Sequence, residues 1–398
     1  MKTKIISSGS VTSPKGFSAG ATCAGIKKVN GSLDLGILAS GVPCTAAALF
    51  TTNRIQAAPV ILSRQRLQSG RASAIIVNSG CANACTGEQG LKDAEEMAEL
   101  AAKKLGVPAE SVLVASTGVI GQCLAMAKIR QGIKQITLAR DGGHELEKAM
   151  MTTDRMPKEI AVSAGTYTIG GAAKGSGMIH PNLATMLCFL TTDASVDLGF
   201  LRQALRKAAD ISFNMVSVDG DTSTNDMVLL MASGLAGNKP IAAGSAEAGI
   251  FEQALNEVCV YLAKCIARDG EGATKLIEVT VSGAPGPAEA RQVARTIVNS
   301  SLVKTAVYGN DPNWGRIVAA AGRSGVEVVE PKISLNIGGI NILKNGRQLS
   351  FTREEVAGKF KQSEVKIALD LGLGNASATA WGCDLSEEYV KINSEYTT

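Results

Sequence analysis

Aromatic residues make up only 4% of the 398-residue chain, and there are only two histidines, His144 and His180. So little imidazole weakens any reading built on a Ser-His or Cys-His pair. It also leaves a zinc site short of donors: Cys81 and Cys85 are spaced like half of one, but no second pair completes it. Nine scattered cysteines, an odd number, fit free thiols in a reducing compartment better than a disulfide framework. No apolar run approaches the length of a membrane-spanning helix. The opening residues M-K-T-K-I-I-S-S-G-S lack the apolar centre of a secretory signal. A dominant charge is missing too: 40 basic residues face 36 acidic ones, giving +4. That balance argues against nucleic acid or an anionic membrane as the main partner. The expectation is a soluble, cytoplasmic protein.

What the chain has in quantity is glycine, 43 residues of it, which suits tight turns and close backbone approaches. Its length allows two or three domains and a substantial core. Strand-like runs are expected at 71–77, 111–115, 159–163, 166–169, 186–190 and 275–281. Helical spacing covers 91–105, 124–136, 144–151, 198–209 and 246–267. The turn cluster Gly283-Ala-Pro-Gly-Pro is a candidate boundary. Beyond it, helices near 288–299 and 314–321 and strands near 332–337 and 340–343 suggest a smaller α+β unit. The mixture excludes an all-helical or all-β fold, but not much more. Gly372-Leu-Gly374-Asn-Ala-Ser opens like a dinucleotide loop but lacks the third glycine.

The richest segment is K-G-S-G-M-I-H-P-N-L-A-T-M-L-C-F-L-T-T-D, from Lys174 to Asp193. A glycine-rich approach meets the small residue Ala184, then Thr185, then an apolar run. A hydroxyl at such a junction is well placed to attack the preceding peptide bond and, after hydrolysis, to leave Thr185 with a free α-amine. That amine is one recognised base for activating a threonine hydroxyl. The plainer alternative is a loop feeding a buried strand, with Thr185 as its first residue. Thr117-Gly118 presents the same choice. It is either an ordinary strand-ending turn, or a hydroxyl and a backbone N–H aimed at a developing oxyanion.

This segment resembles the self-cleavage region of the ornithine acetyltransferase family, also called glutamate N-acetyltransferases, of the arginine pathway. The likeness spans nearly the whole chain. It runs through G-S-V-T-S-P-K-G-F-S-A-G from Gly9, V-N-S-G-C-A-N-A-C-T-G from Val77, S-T-G-V-I-G from Ser116 and M-T-T-D from Met151. It continues with S-V-D-G-D-T-S-T-N-D from Ser217, R-D-G-E-G-A-T-K from Arg268, G-N-D-P-N-W-G-R from Gly309 and the closing Y-V-K-I-N-S-E-Y-T-T.

The resemblance implies an αββα-like layered main domain over 1–284, akin to that of β-peptidyl aminopeptidases. A C-terminal α+β domain over 285–398 would send its tail to the active site. It implies cleavage between Ala184 and Thr185 into an α chain, 1–184, and a β chain, 185–398, assembling as α2β2. Thr185 would be the nucleophile and Thr117 and Gly118 the oxyanion donors. Thr153, Lys174, Glu271, Asn393 and Thr398 would join Thr185 in contacting substrate. The implied reaction carries acetyl from N2-acetylornithine to glutamate through an acetyl-threonine, with no metal or cofactor. Acetyl-CoA stays open as a further donor. Asp219, Asp221 and Asp226 cluster like metal ligands, and Asn310, Asp311, Asn313 and Arg316 like a polar site. Both groups are expected to build turns and support their neighbours. His180 is expected to be structural rather than to assist cleavage. The rival reading is an N-terminal-nucleophile amidohydrolase or aminopeptidase on a similar fold.

Overall fold

The structure is a computed structural model and describes residues 3–29, 31–180 and 186–395. A nine-stranded sheet curls so far that its two halves face each other. The strand Leu35–Phe50 belongs to both halves. Its first part pairs with Phe17–Thr22 and with Arg71–Cys81, and its second part pairs with Met227–Ala232. A register shift between Ala39 and Cys44 marks where it turns from one half to the other.

Alternation along the strands sorts the apolar side chains into three layers. Leu38, Ile75 and Val77 from one half meet Leu187, Phe189, Met227, Leu229 and Met231 from the other inside the curl. Ile37, Ile76 and Val114 face outward, against the helices Gly87–Leu105 and Met126–Gln135. On the opposite side Cys188, Leu190, Val228 and Leu230 pack against the helices Leu198–Ile211 and Ala248–Arg268. Helix, sheet, sheet and helix follow in that order, the layered α/β architecture expected from the sequence.

A second, seven-stranded sheet lies beyond the helix Ala248–Arg268 and shares one continuous apolar core with it. Its inner strand Leu276–Ala284 runs parallel to Glu364–Asp370 and antiparallel to Ala376–Cys383. The turn at 283–287 joins that strand to the helix Pro287–Val298, which covers the same sheet. The expected boundary at 284–285 therefore falls within this layer rather than between two layers. After the last strand the chain turns back as the helix Glu387–Glu395.

Register brings several strand ends to one place. Lys174 pairs with Leu187, and Leu187 pairs with Met227, which in turn lies opposite Phe50. The parallel pair Arg71–Cys81 and Val112–Val119 sets Gly80 beside Gly118. No helix among the described residues is long and apolar enough to cross a membrane.

Candidate active site

A cleft opens where these ends meet, and it gathers residues from six parts of the chain. Thr117, Gly118, Thr153, Lys174, Glu271 and Asn393 all line it. Every expected site residue among the described ones is therefore in one cavity. Ala184, Thr185 and Thr398 lie outside the described residues. Met186, next in the chain to Thr185, forms part of the wall.

Thr117 and Gly118 are held by a buried polar brace. Ser116 Oγ donates to Asn78 Oδ1 at 2.6 Å, and Asn78 Nδ2 donates to the Cys81 carbonyl at 2.9 Å. Asn225 Nδ2 reaches the carbonyls of Ala82 at 2.6 Å and Ser116 at 2.8 Å, so it ties both parallel strands to the opposite half of the curl. Gly118 has φ +126°, and a Cβ there would collide with the backbone of Gly80. Glycine at 118 lets the two strands approach this closely, while a Cβ on Gly80 (φ +99°) would instead crowd the backbone of Ile26 and Lys27.

Lys174 is buried at the inner end of its strand, and its Nζ donates to Thr152 Oγ1 at 3.1 Å. Thr153 lines the cleft beside it, while the hydroxyl that accepts from the lysine is that of Thr152. Burial pulls the Lys174 pKa down, and the nearby carboxylates of Asp154 and Asp226 push it back up. Asp226 is held far above the usual carboxylate range by its own burial, and its Oδ2 has no partner among the described residues. Its other contacts are the Ser223 side chain and the backbone N–H of Met186. Asp219 accepts from the N–H groups of Met178 at 2.6 Å, Ile179 at 2.9 Å and Asp221 at 3.1 Å. It thereby builds the loop that runs into 181–185. Among the described residues no group of His, Cys, Asp and Glu is arranged to hold a metal ion.

Beneath the cleft Lys158 is fully buried between Asp154 at 2.7 Å and Asp269 at 2.6 Å. Burial alone raises the Asp154 pKa, but Lys158 and Lys174 outweigh it and hold the carboxyl far below its ordinary value. Asp154 Oδ1 also accepts the Gly175 N–H at 2.7 Å, so the triad fixes the glycine-rich approach. Glu147 has the opposite fate. It accepts the Lys158 N–H at 2.9 Å, its Oε2 has no partner among the described residues, and burial pushes its pKa up to about 8.

The segment R-D-G-E-G-A-T-K now reads position by position. Asp269 completes the lysine triad, and Glu271 presents its carboxylate to the cleft. A Cβ on Gly177 would collide with that carboxylate, so the glycine makes room for it. Gly272 has φ +69° and allows the tail to dock at Tyr389. Asp384 accepts from the Thr274 and Lys275 N–H groups at 2.8 and 2.9 Å, and Ser386 Oγ donates to the Gly272 carbonyl at 2.6 Å. Asn393 Nδ2 then donates to Glu271 Oε2 at 2.9 Å. Lys275 Nζ reaches the Val307 carbonyl at 2.6 Å and Asn310 Oδ1 at 2.7 Å, tying the loop to G-N-D-P-N-W-G-R. In that motif Asp311 pairs with Arg353 at 2.9 Å, and Arg316 donates to the Leu302 carbonyl at 2.9 Å.

Sequence reasoning singled out neither Thr152, Asp154, Asn225 and Asp269, which do the bracing, nor Tyr389 in the cleft wall. All five stand inside recognised motifs, Tyr389 as the first residue of the closing one, and its place in the wall depends on how the tail folds back.

The profile of the ArgJ family matches residues 18–398. The chain belongs to this family. It is 52% identical to the arginine biosynthesis bifunctional protein ArgJ of Dehalococcoides mccartyi, covering 99% of this chain and 98% of that one. It is also 52% identical to the protein of the same name from Symbiobacterium thermophilum, covering 98% and 99%. Among solved structures it is similar to the same-named protein of Bacillus halodurans, with 50% identity and a TM-score of 0.51. That match covers 52% of this chain and 97% of the other.

Proposed function

We propose that this ArgJ family member is an acetyltransferase of arginine biosynthesis that cleaves itself before Thr185 and carries the acetyl group on the freed threonine. The observation that carries the reading is the convergence of Thr117, Gly118, Thr153, Lys174, Glu271 and Asn393 on one cleft whose wall includes Met186. The fold alone would not distinguish acyl transfer from hydrolysis. The half-length match to the Bacillus halodurans chain is what division of the polypeptide near its middle would give.

In cleavage the Thr185 hydroxyl attacks the Ala184 carbonyl, the C–N bond breaks to give an ester, and water hydrolyses the ester. The released α-amine has an ordinary pKa of about 7.7–8.0, suited to taking the hydroxyl proton near neutrality. In transfer Thr185 Oγ attacks the acetyl carbonyl of N2-acetylornithine. The oxyanion is met by the Thr117 hydroxyl and the Gly118 N–H. The bond to nitrogen breaks, ornithine leaves with the proton, and the glutamate amine then attacks the acetyl-threonine. Lys174 pairs with a substrate carboxylate, and Glu271, steadied by Asn393, receives an ammonium group. Thr153 and Thr398 complete the substrate contacts in this reading. The exchange needs no cofactor, and acetyl-CoA is a further donor to assay. The cleaved chains pair as a cytoplasmic α2β2 assembly.

The reading is tested by assaying N2-acetylornithine with and without glutamate. A transferase forms acetylglutamate in step with ornithine, and glutamate speeds the loss of acetylornithine. Release of free acetate at a rate that glutamate does not change would replace this reading with that of an amidohydrolase.

A further inference from the structure

A second cavity lies behind the 178–180 loop, between the helix Pro287–Val298 and the turn that follows the helix Leu198–Ile211. Its lining includes Arg291, Arg295 and Arg323, with one carboxylate, Asp210, whose Oδ1 already accepts from Asn214 Nδ2 at 2.9 Å. None of the three arginines forms an ion pair among the described residues. Arg291 and Arg295 are four apart on one helix, an arrangement of like charges that costs a few tenths of a kcal/mol.

Arg295 is the most telling of the three. It is half-buried, and the partner it donates to, at 2.8 Å, is His180 Nε2. Burial and this guanidinium together depress the His180 pKa to about 4, so the imidazole is neutral near pH 7. Its Nδ1 therefore carries the proton and donates to Ser217 Oγ at 2.9 Å, which in turn donates to Asn299 Oδ1 at 2.9 Å. A guanidinium withdrawn from water normally stands against an anion, and among the described residues this one has a neutral ring instead.

We infer that this cavity is a binding site for a multiply charged oxyanion of the phosphate class, held by the guanidiniums of Arg291, Arg295 and Arg323. Guanidinium forks match phosphate oxygens in pairs of parallel hydrogen bonds, and three of them supply the charge that such a group lacks. Arg295 would then be shared between the anion and His180, so occupancy is felt at the imidazole. The inference does not depend on the acetyl-transfer reading.

Pyrophosphate is the probe, titrated into the full-length protein at low ionic strength by calorimetry, with side-chain NMR of the imidazoles alongside. There are only two histidines, and His144 stands apart, paired with Glu159 at 2.7 Å. Saturable binding that moves the His180 resonance and leaves that of His144 in place is expected. The doubly substituted R291A/R323A protein should bind at least tenfold more weakly. Arg323 is exposed and Arg291 partly so, and among the described residues neither side chain makes a hydrogen bond or ion pair. Absence of saturable heat, equal binding by the double variant, or an unmoved His180 resonance at saturation would each overturn the assignment.

Discussion

The two clefts on either side of the 178–180 loop treat charge in opposite ways. In and beneath the first cleft the buried cations are met by carboxylates: Lys158 sits between Asp154 and Asp269, and Lys174 lies near Asp154 and Asp226. In the second cavity three guanidiniums face a single carboxylate that already has a partner. The first arrangement balances its charges with groups of the chain itself. The second is complete only when a ligand supplies the missing negative charge. The same chain thus holds one cleft whose buried charges balance one another and another that depends on its occupant for balance.

The comparison breaks most visibly at Lys158. Lys158→Ala leaves two buried carboxylates facing each other, and removing one partner of a buried ion pair costs about 3–5 kcal/mol. Thermal or urea unfolding should show that loss. Alanine at Arg323, in the other cleft, should stay within about 0.5 kcal/mol of the parent. Equal effects in the two clefts would remove the contrast.

Next in size is Thr117→Ala. Loss of one oxyanion donor typically lowers kcat by about 10²–10³-fold. Among the described residues the Thr117 side chain makes no hydrogen bond that braces the strand, since Ser116 and Asn225 do that, so stability should change little. An unfolding midpoint that falls along with kcat would show a structural role instead.

Much of this site was legible before any fold. Thr117, Gly118, Thr153, Lys174, Glu271 and Asn393 were reached through the family resemblance of the motifs that hold them, and the structure gathers them in one cleft. The helices 91–105 and 198–209 were readable because their apolar stripes are regular. The central strand Leu35–Phe50 was not, because alanines, Gly41 and Pro43 interrupt its pattern where it bends between the two halves of the curl. Membership of Leu276–Ala284 in the second sheet was hidden as well. Its partners, Glu364–Asp370 and Ala376–Cys383, lie far along the chain. The lysine triad joins 154, 158 and 269, and nothing local records such a pairing.

Glu271→Gln sharpens the account of substrate charge. It removes a negative charge from the cleft yet keeps an oxygen to accept from Asn393. A hydrogen bond to a charged group is worth about 1.5–3 kcal/mol. KM for the substrate carrying the extra ammonium group should therefore rise by about ten- to a hundredfold, with self-cleavage unchanged. An unaltered KM would remove Glu271 from substrate binding.

A further test lies in pH dependence. With its folded pKa raised to about 8, Glu147 holds a proton in the folded state that it loses on unfolding at neutral pH. Its contribution to stability is full below the ordinary carboxylate pKa and declines as pH rises toward about 8. Glu147→Gln should flatten this part of the stability profile, measured by urea unfolding at several pH values. A profile identical to that of the parent would mean that Glu147 is not the group responsible.

The central claim is that Thr185 becomes a free N-terminus and then bears the acetyl group. Intact-mass and peptide analysis of purified protein, before and after incubation with N2-acetylornithine alone, addresses both parts at once. The account predicts two chains, residues 1–184 and 185–398, with one acetyl group gained on Thr185 of the second as one ornithine is released. An undivided, fully active chain, or turnover without acetyl on Thr185, would contradict it.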